Sequence, residues 1–220
     1  MPHPFDPQDI PIDEDSEVNP TKIFYLKGTI HFKNEAQVID LTDKIKRPFD
    51  DFSQKWMREV GKALEEVKDD PPKYSLNSSG SMMRTIKSIV DQQGEKVCDL
   101  NMTFVSFDNS SVRFPPGSKH CRHEIELYPV GEGGTIKNGG KADRHECFIR
   151  HSVPYFWDLT GEQQGVLHKA LNQKRVEVGM VAGYGWGKDA VLVFDDKEVD
   201  EVVAMATCII MLNGKDAIDY

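Results

Sequence analysis

Cysteine is scarce in this chain: Cys98, Cys121, Cys147 and Cys208 are the only four, scattered over 220 residues. That is too few and too dispersed for a disulfide scaffold, so a reducing, cytoplasmic setting is the default expectation. An excess of basic residues is missing as well. With 27 Lys and Arg against 36 Asp and Glu, the formal net charge is −9. No general nucleic-acid binder is expected from that balance, because neutralising phosphates needs a basic surface. No apolar run approaches the ~20 residues of a membrane span. Residues 1–20 hold five prolines, six acids and no apolar stretch, so no secretory signal is expected there. The N-x-S/T triplets at Asn77, Asn101 and Asn109 are then chance matches. Neither the G-x-S-x-G nucleophile signature nor a phosphate loop of the form G-x-x-x-x-G-K-[ST] occurs.

What is there organises the chain from its far end. Hydrophobic residues make up 39% and charged ones 29%, an ordinary globular balance. From Val202 to Leu212 every residue except Thr207 is apolar, so a helix here has no polar face and belongs inside something. As a helix the run is roughly 16 Å long, about half a bilayer core. Asp195, Asp196, Glu198, Asp200 and Glu201 crowd its start, where the helix dipole favours anions, and Asn213-Gly214 offers a left-handed stop. Cys208–Leu212 alone reads equally as a buried strand; the length of the run and its alanines favour a helix over 199–213.

In chain order, residues 1–20 read as a flexible acidic, proline-rich arm, followed by one domain over 21–220. Ile23–Leu26 and Thr29–Phe32 read as strands, and Asn34–Ile39 leads towards a third. Over residues 44–68 the period changes: Ile45, Phe49, Phe52, Trp56, Val60, Leu64 and Val67 recur at threes and fours. That spacing predicts an amphipathic surface helix, with Pro48 in its first turn and an end before Pro71-Pro72. Its aromatic stripe packs either on a sheet or on a partner; core packing is the expectation. From Lys73 to Phe194 the text is β. Strands are predicted at Lys73–Leu76, Ser81–Ile89, Lys96–Thr103, Phe104–Phe107, Ser111–Phe114, His123–Val130, Glu146–His151, Val153–Asp158, Glu177–Ala182 and Ala190–Phe194. Turn chemistry separates them at Asn77–Gly80, Asp91–Gly94, Asp108–Ser110, Pro115–Gly117 and Gly131–Gly140. Many short strands at close spacing, without helical crossovers, predict a mainly β fold. Placing the greasy helix inside a closed antiparallel β-barrel satisfies both elements and removes the sheet edges.

The strand pair carrying DQQGEKV at 91–97 and the ending VLVFDDKEVDEVVAMATCIIML at 191–212 resemble the tubby C-terminal-like superfamily. Within it the likeness is to LURP-one-related proteins, cousins of the phospholipid scramblases. The resemblance implies a barrel of about twelve strands around a hydrophobic C-terminal helix. It also implies basic barrel residues that meet lipid headgroups, phosphoinositides among them.

Several side chains carry possible chemistry. Cys121, His123, His145 and Cys147 are the metal-ligating candidates: on paired strands flanking 131–140, two C-x-H-type ladders converge, and thiolate with imidazole suits zinc. Small buried cysteines and hydrogen-bonded histidines in a barrel wall explain the same pattern, and no metal or other cofactor is expected. His123, His145 and His151 are the catalytic candidates. Ligand-binding candidates are Arg84, Lys87 and Arg113, with Lys119 and Arg122 in the same basic set, and Trp186 and Lys188 from the Gly183–Lys188 run. Three functions stay open: a ligand-binding module for an anionic lipid headgroup, a small-molecule enzyme with a histidine-lined loop site, and a partner-binding scaffold.

Overall fold

Residues 22–194 fold as an antiparallel meander that closes on itself. The computed structural model describes residues 10–29, 36–81, 84–103, 110–130, 144–159, 164–184 and 188–214. Its strands are β1 Lys22–Lys27, β2 Ala36–Asp40, β3 Tyr74–Ser81, β4 Arg84–Asp91, β5 Lys96–Thr103, β6 Ser110–Arg113, β7 Ile125–Val130, β8 Arg144–Arg150, β9 Val153–Leu159, β10 Gln164–Leu171, β11 Lys174–Tyr184 and β12 Asp189–Phe194. Helix α1, Gln54–Glu66, interrupts the meander between β2 and β3, and α2, Glu201–Gly214, ends it. Each strand pairs with its neighbours in sequence, and β12 pairs with β1, Lys22 opposite Phe194 and Leu26 opposite Ala190. Closure of this kind removes free sheet edges.

Alternation along the strands decides which side chains meet α2. Phe24, Leu26, Leu76, Ile89, Leu100, Trp157, Leu167, Leu192 and Phe194 point inward and form one cluster with α2. From Val202 to Leu212 no residue is more than 5% exposed, as an all-apolar helix inside a barrel requires. The one polar residue of that run is matched. Thr207 donates to the Val203 carbonyl at 2.8 Å and accepts the Trp157 indole N–H at 3.0 Å. Both helix ends are capped. Asp200 Oδ1 accepts the N–H groups of Val202 and Val203 at 3.0 and 3.2 Å. Asn213 Nδ2 donates to the carbonyls of Ile209 and Thr29 at 2.7 and 2.8 Å.

The outer wall is covered in two places. α1 lays Trp56, Val60 and Ala63 on Ile23, Tyr25, Val191 and Val193, while Lys55 and Glu66 face water. Phe49, Phe52 and Trp56 stack edge to face, with centroids 4.9 to 5.6 Å apart. Elsewhere Ile10 covers Cys147 and Phe156.

Three expectations are corrected. The helix expected over 44–68 spans only Gln54–Glu66. Pro48 disfavours helical backbone at the residue before it, Asp51 and Phe52 both sit at φ 55°, and the Ser53 hydroxyl caps the helix by accepting Trp56 N–H at 3.2 Å. Ile45 still packs in the same cluster, with Phe49 against it, so the apolar spacing looks continuous across a break. The turn expected at Asn77–Gly80 is strand: Asn77 pairs with Ser88 and Gly80 with Thr85, so cross-strand pairing overrides turn composition. A strand was missed, β10, which hairpins to β11 through Asn172 and Gln173, both at positive φ. Asn172 was its one readable signal. The expected strands at 30–32 and 104–107 and the loop at 131–140 lie outside the described residues.

Two outcomes test this packing. Ala206→Arg puts an unpaired charge among fully buried side chains, and circular dichroism should find the variant unfolded. Trp56→Ala should lower stability by roughly 3–5 kcal/mol in urea titrations. Trp56→Phe should cost far less, because the indole N–H it removes is buried with no partner among the described residues.

Candidate functional site

The barrel end that receives the start of α2 gathers His120, Arg150 and Asp200 in one network. The β6–β7 connection builds half of it. Pro115-Pro116-Gly117 turns the chain, with Gly117 at φ 80° and Ser118 N–H bonded to the Pro115 carbonyl at 3.1 Å. His120 is thereby carried inward, where its Nδ1 lies 3.1 Å from both Asp200 oxygens. The β8–β9 turn supplies the other half. Arg150 Nη2 donates to the His120 carbonyl at 2.9 Å and stands 3.8 Å from Asp200. Its Nε is buried with no partner among the described residues. Burial by itself raises the Asp200 carboxyl. The His120 hydrogen bond and charge, the Val203 N–H and Arg150 outweigh it and hold the group below the usual carboxylate range.

Outside this buried core lies a second layer. Cys121 Sγ is 3.7 Å from His123 Nε2, and the His123 ring meets that of His151 edge to face, centroids 5.8 Å apart. His151 and Ser152 form the β8–β9 turn at φ 50° and 66°. Positive φ is uncommon away from glycine, and histidine is among the residues that tolerate it; here it brings His151 to His123. Lys119 and Arg122 flank them, exposed. The rest of the rim is paired: Lys73 with Asp40 and Glu201, Tyr74 with Glu201, and Lys169 with Glu198, all at 2.6 to 2.9 Å. For Lys73, burial works against the charge, and the two carboxylates win, raising the ammonium above its ordinary range.

The candidates read from sequence scatter around this geometry. His123 and His151 come together. Cys121 joins them from a bend before β7, not from a strand as expected, and packs in the interior cluster. Cys147 belongs to the outer cluster with Phe156, on the other side of the wall, and burial pushes its thiol up to about 12. Cys121 and Cys147 therefore do not converge. Among the described residues no group of three or more His, Cys, Asp or Glu is placed to hold a metal ion. His145 sits in β8 opposite Val130 and Asp158, and Arg84 in β4 opposite Ser81 and Thr103; their side chains lie outside the described residues. Lys87 shares the inward face of β4 with Ile89 and is 1% exposed; burial lowers its ammonium to about 8. Arg113 is taken by Glu124 at 2.8 Å. Trp186 lies outside the described residues, and Lys188 is exposed at the start of β12. What sequence reading missed was the His120–Asp200–Arg150 network. Asp200 before an apolar run is a legible cap, but its partners His120 and Arg150 stand 80 and 50 residues away.

An open depression of about 760 Å³ lies elsewhere, on the flank of α1, lined by Arg58, Gly61, Lys62 and Tyr184 among others. It is open to solvent and stands apart from the histidines. No helix among the described residues is long and apolar enough to cross a membrane. Comparison with family models, curated proteins and solved structures finds no match to this chain.

The Asp200 network predicts a pH signature. A folded-state carboxyl held low contributes fully above the unfolded value of ~4, and the contribution is lost as pH falls through the lower folded value. Asp200→Ala should cost about 2–4 kcal/mol at neutral pH, through a lost cap and a half-buried Arg150 left without its carboxylate. Asp200→Asn keeps the cap and should cost less. Urea midpoints measured from about pH 5 to about pH 2 should fall more steeply for the parent chain than for Asp200→Asn.

Proposed function

We propose that this chain is a tubby-like barrel of the LURP-one-related kind, acting in the cytoplasm as a non-catalytic module that binds an anionic headgroup such as that of a phosphoinositide. The closed twelve-stranded barrel with a C-terminal helix inside is compatible with that reading. The observation that carries the ligand class is a local excess of cationic and imidazole groups. Lys119, Arg122, His123 and His151 stand exposed at one rim, and none has a carboxylate partner among the described residues, while the charges around them are paired off. In a chain of net charge −9 such a patch attracts anions only at short range. Each basic residue near an anionic surface adds about 1 kcal/mol, so the binding is headgroup-specific and weakened by salt. Among the described residues, α2 fills the interior with apolar side chains. The partner-facing alternative for α1 loses its main support, because Trp56 is fully buried against the barrel.

Sedimentation with vesicles tests the proposal. The full chain is expected to pellet with phosphoinositide-containing vesicles at low salt, less at physiological salt, and not with neutral vesicles. Lys119→Glu with Arg122→Glu should abolish the interaction and leave the thermal melt unchanged. Absence of binding, together with turnover of a metabolite pool that stops in His151→Ala, would replace this reading with the enzyme.

A further inference from the structure

The barrel is closed, yet β11 is longer than the strand beside it. Its pairing with β12 begins only at Gly179 opposite Phe194, and the chain then leaves the wall, Asp195 N–H bonding the Val178 carbonyl at 3.0 Å. The backbone from Lys174 to Glu177 is therefore paired with β10 on one side and has an open edge on the other. That edge is filled by the acidic arm. Arg175 N–H donates to the Pro11 carbonyl at 2.8 Å, and Asp13 N–H to the Arg175 carbonyl at 2.9 Å, a parallel bridge centred on Ile12. Side chains add selectivity. Ile10 packs on the Cys147 and Phe156 cluster; Arg175 Nε holds the Ile10 carbonyl at 2.9 Å while its guanidinium lies 5.7 Å from the Phe156 ring centre; Lys174 Nζ meets Asp13 at 2.9 Å. Pro11 contributes only its carbonyl, so the missing N–H costs nothing. Ile12 is 41% exposed and is not selected.

We propose that this edge is a peptide-docking groove, occupied in cis by Ile10–Asp13, and that it takes an extended segment of a partner protein with the pattern apolar–Pro–any–acid. The recognition is strand addition, in which main-chain bonds supply affinity and side-chain pockets supply the pattern. The cis occupant is exchangeable for three reasons. Its ion pair uses a Lys174 side chain that is 52% exposed, so that pair adds little. Ordering the arm offsets its few hydrogen bonds. The barrel does not need it, because β11 stays paired with β10 from Lys174 to Ala182 and with β12 from Gly179 onward. Release would uncover Phe156 and Cys147, now at most 1% exposed, an apolar spot that a partner's residue would cover again.

The test uses the full chain and a fluorescein-labelled peptide of residues 8–15, QDIPIDED, read by anisotropy. The parent chain should bind weakly, because a tethered arm competes at high effective concentration. Ile10→Asp with Asp13→Lys, which weakens the arm, should bind the peptide about tenfold tighter or more. Adding Lys174→Glu should shift preference only a few-fold, from the acidic peptide towards one with Lys at the acid position. Equal affinity in the parent and arm-weakened chains would overturn the proposal. Should the variants not fold, hydrogen exchange on the parent chain decides. With excess peptide, the Asp13 amide should lose protection while the Arg175 amide keeps it, and no change at either would overturn the groove. A dimer of the parent chain that dissociates on Ile10→Asp would show the occupant to be a second copy's arm, and the partner-peptide proposal would fall.

Discussion

A helix with no polar face has to be taken out of water on every side, and the rest of this structure follows from that requirement. Burying one flank against a sheet would leave the opposite flank of Val202–Leu212 wet; only a closed wall removes all of it. Twelve antiparallel strands supply that wall, and the inward position of each alternation is spent on it, from Phe24 on β1 to Phe194 on β12. Helix and barrel are thus one core. Neither has an alternative partner large enough to replace the other.

Enclosing a helix also traps its polar ends, and these decide how it is seated. At its start, Asp200 binds two backbone N–H groups, His120 and Arg150 at once, tying α2 to the β6–β7 connection and to β8. At its finish, Asn213 reaches the Thr29 carbonyl beyond β1. Midway, Thr207 and Trp157 satisfy each other and set the rotation of the helix against β9. Buried polar groups are costly unless bonded, so these contacts specify one register of helix in barrel. The candidate anion rim follows from the first of them. Holding His120 and Arg150 beneath the wall presents Lys119, Arg122, His123 and His151 above it.

Strands that are apolar on both faces need cover outside as well as inside. β1 and β12 carry Ile23, Tyr25, Val191 and Val193 on their outer faces, and α1 covers them; Phe156 and Cys147 are covered by the arm. The two covers differ in kind. α1 is capped, thirteen residues long and seated through a fully buried tryptophan. The arm is held by a few backbone bonds and an exposed ion pair. The first belongs to the fold, and the second is placed where exchange costs little.

By itself the sequence determined the class of fold, the buried helix to within a residue or two at either end, the partly apolar face of α1 and most strands, because each of these is a local periodicity. It left β10 unread, since Gln164, His168 and Lys169 interrupt the apolar alternation, and it placed a turn at Asn77–Gly80 where pairing with β4 prevails. It overran the start of α1, since spacing alone cannot distinguish Ile45 in a loop from Val60 in a helix when both meet one cluster. The site was legible only in its ingredients. His123 and His151 were named, but their meeting depends on positive φ at His151 and on two turns brought side by side by the meander. Which cysteine faces inward, which lysine is buried and which arginine is already paired were decided by the barrel. Strand register and closure set those, through contacts between residues tens of positions apart that no local pattern encodes.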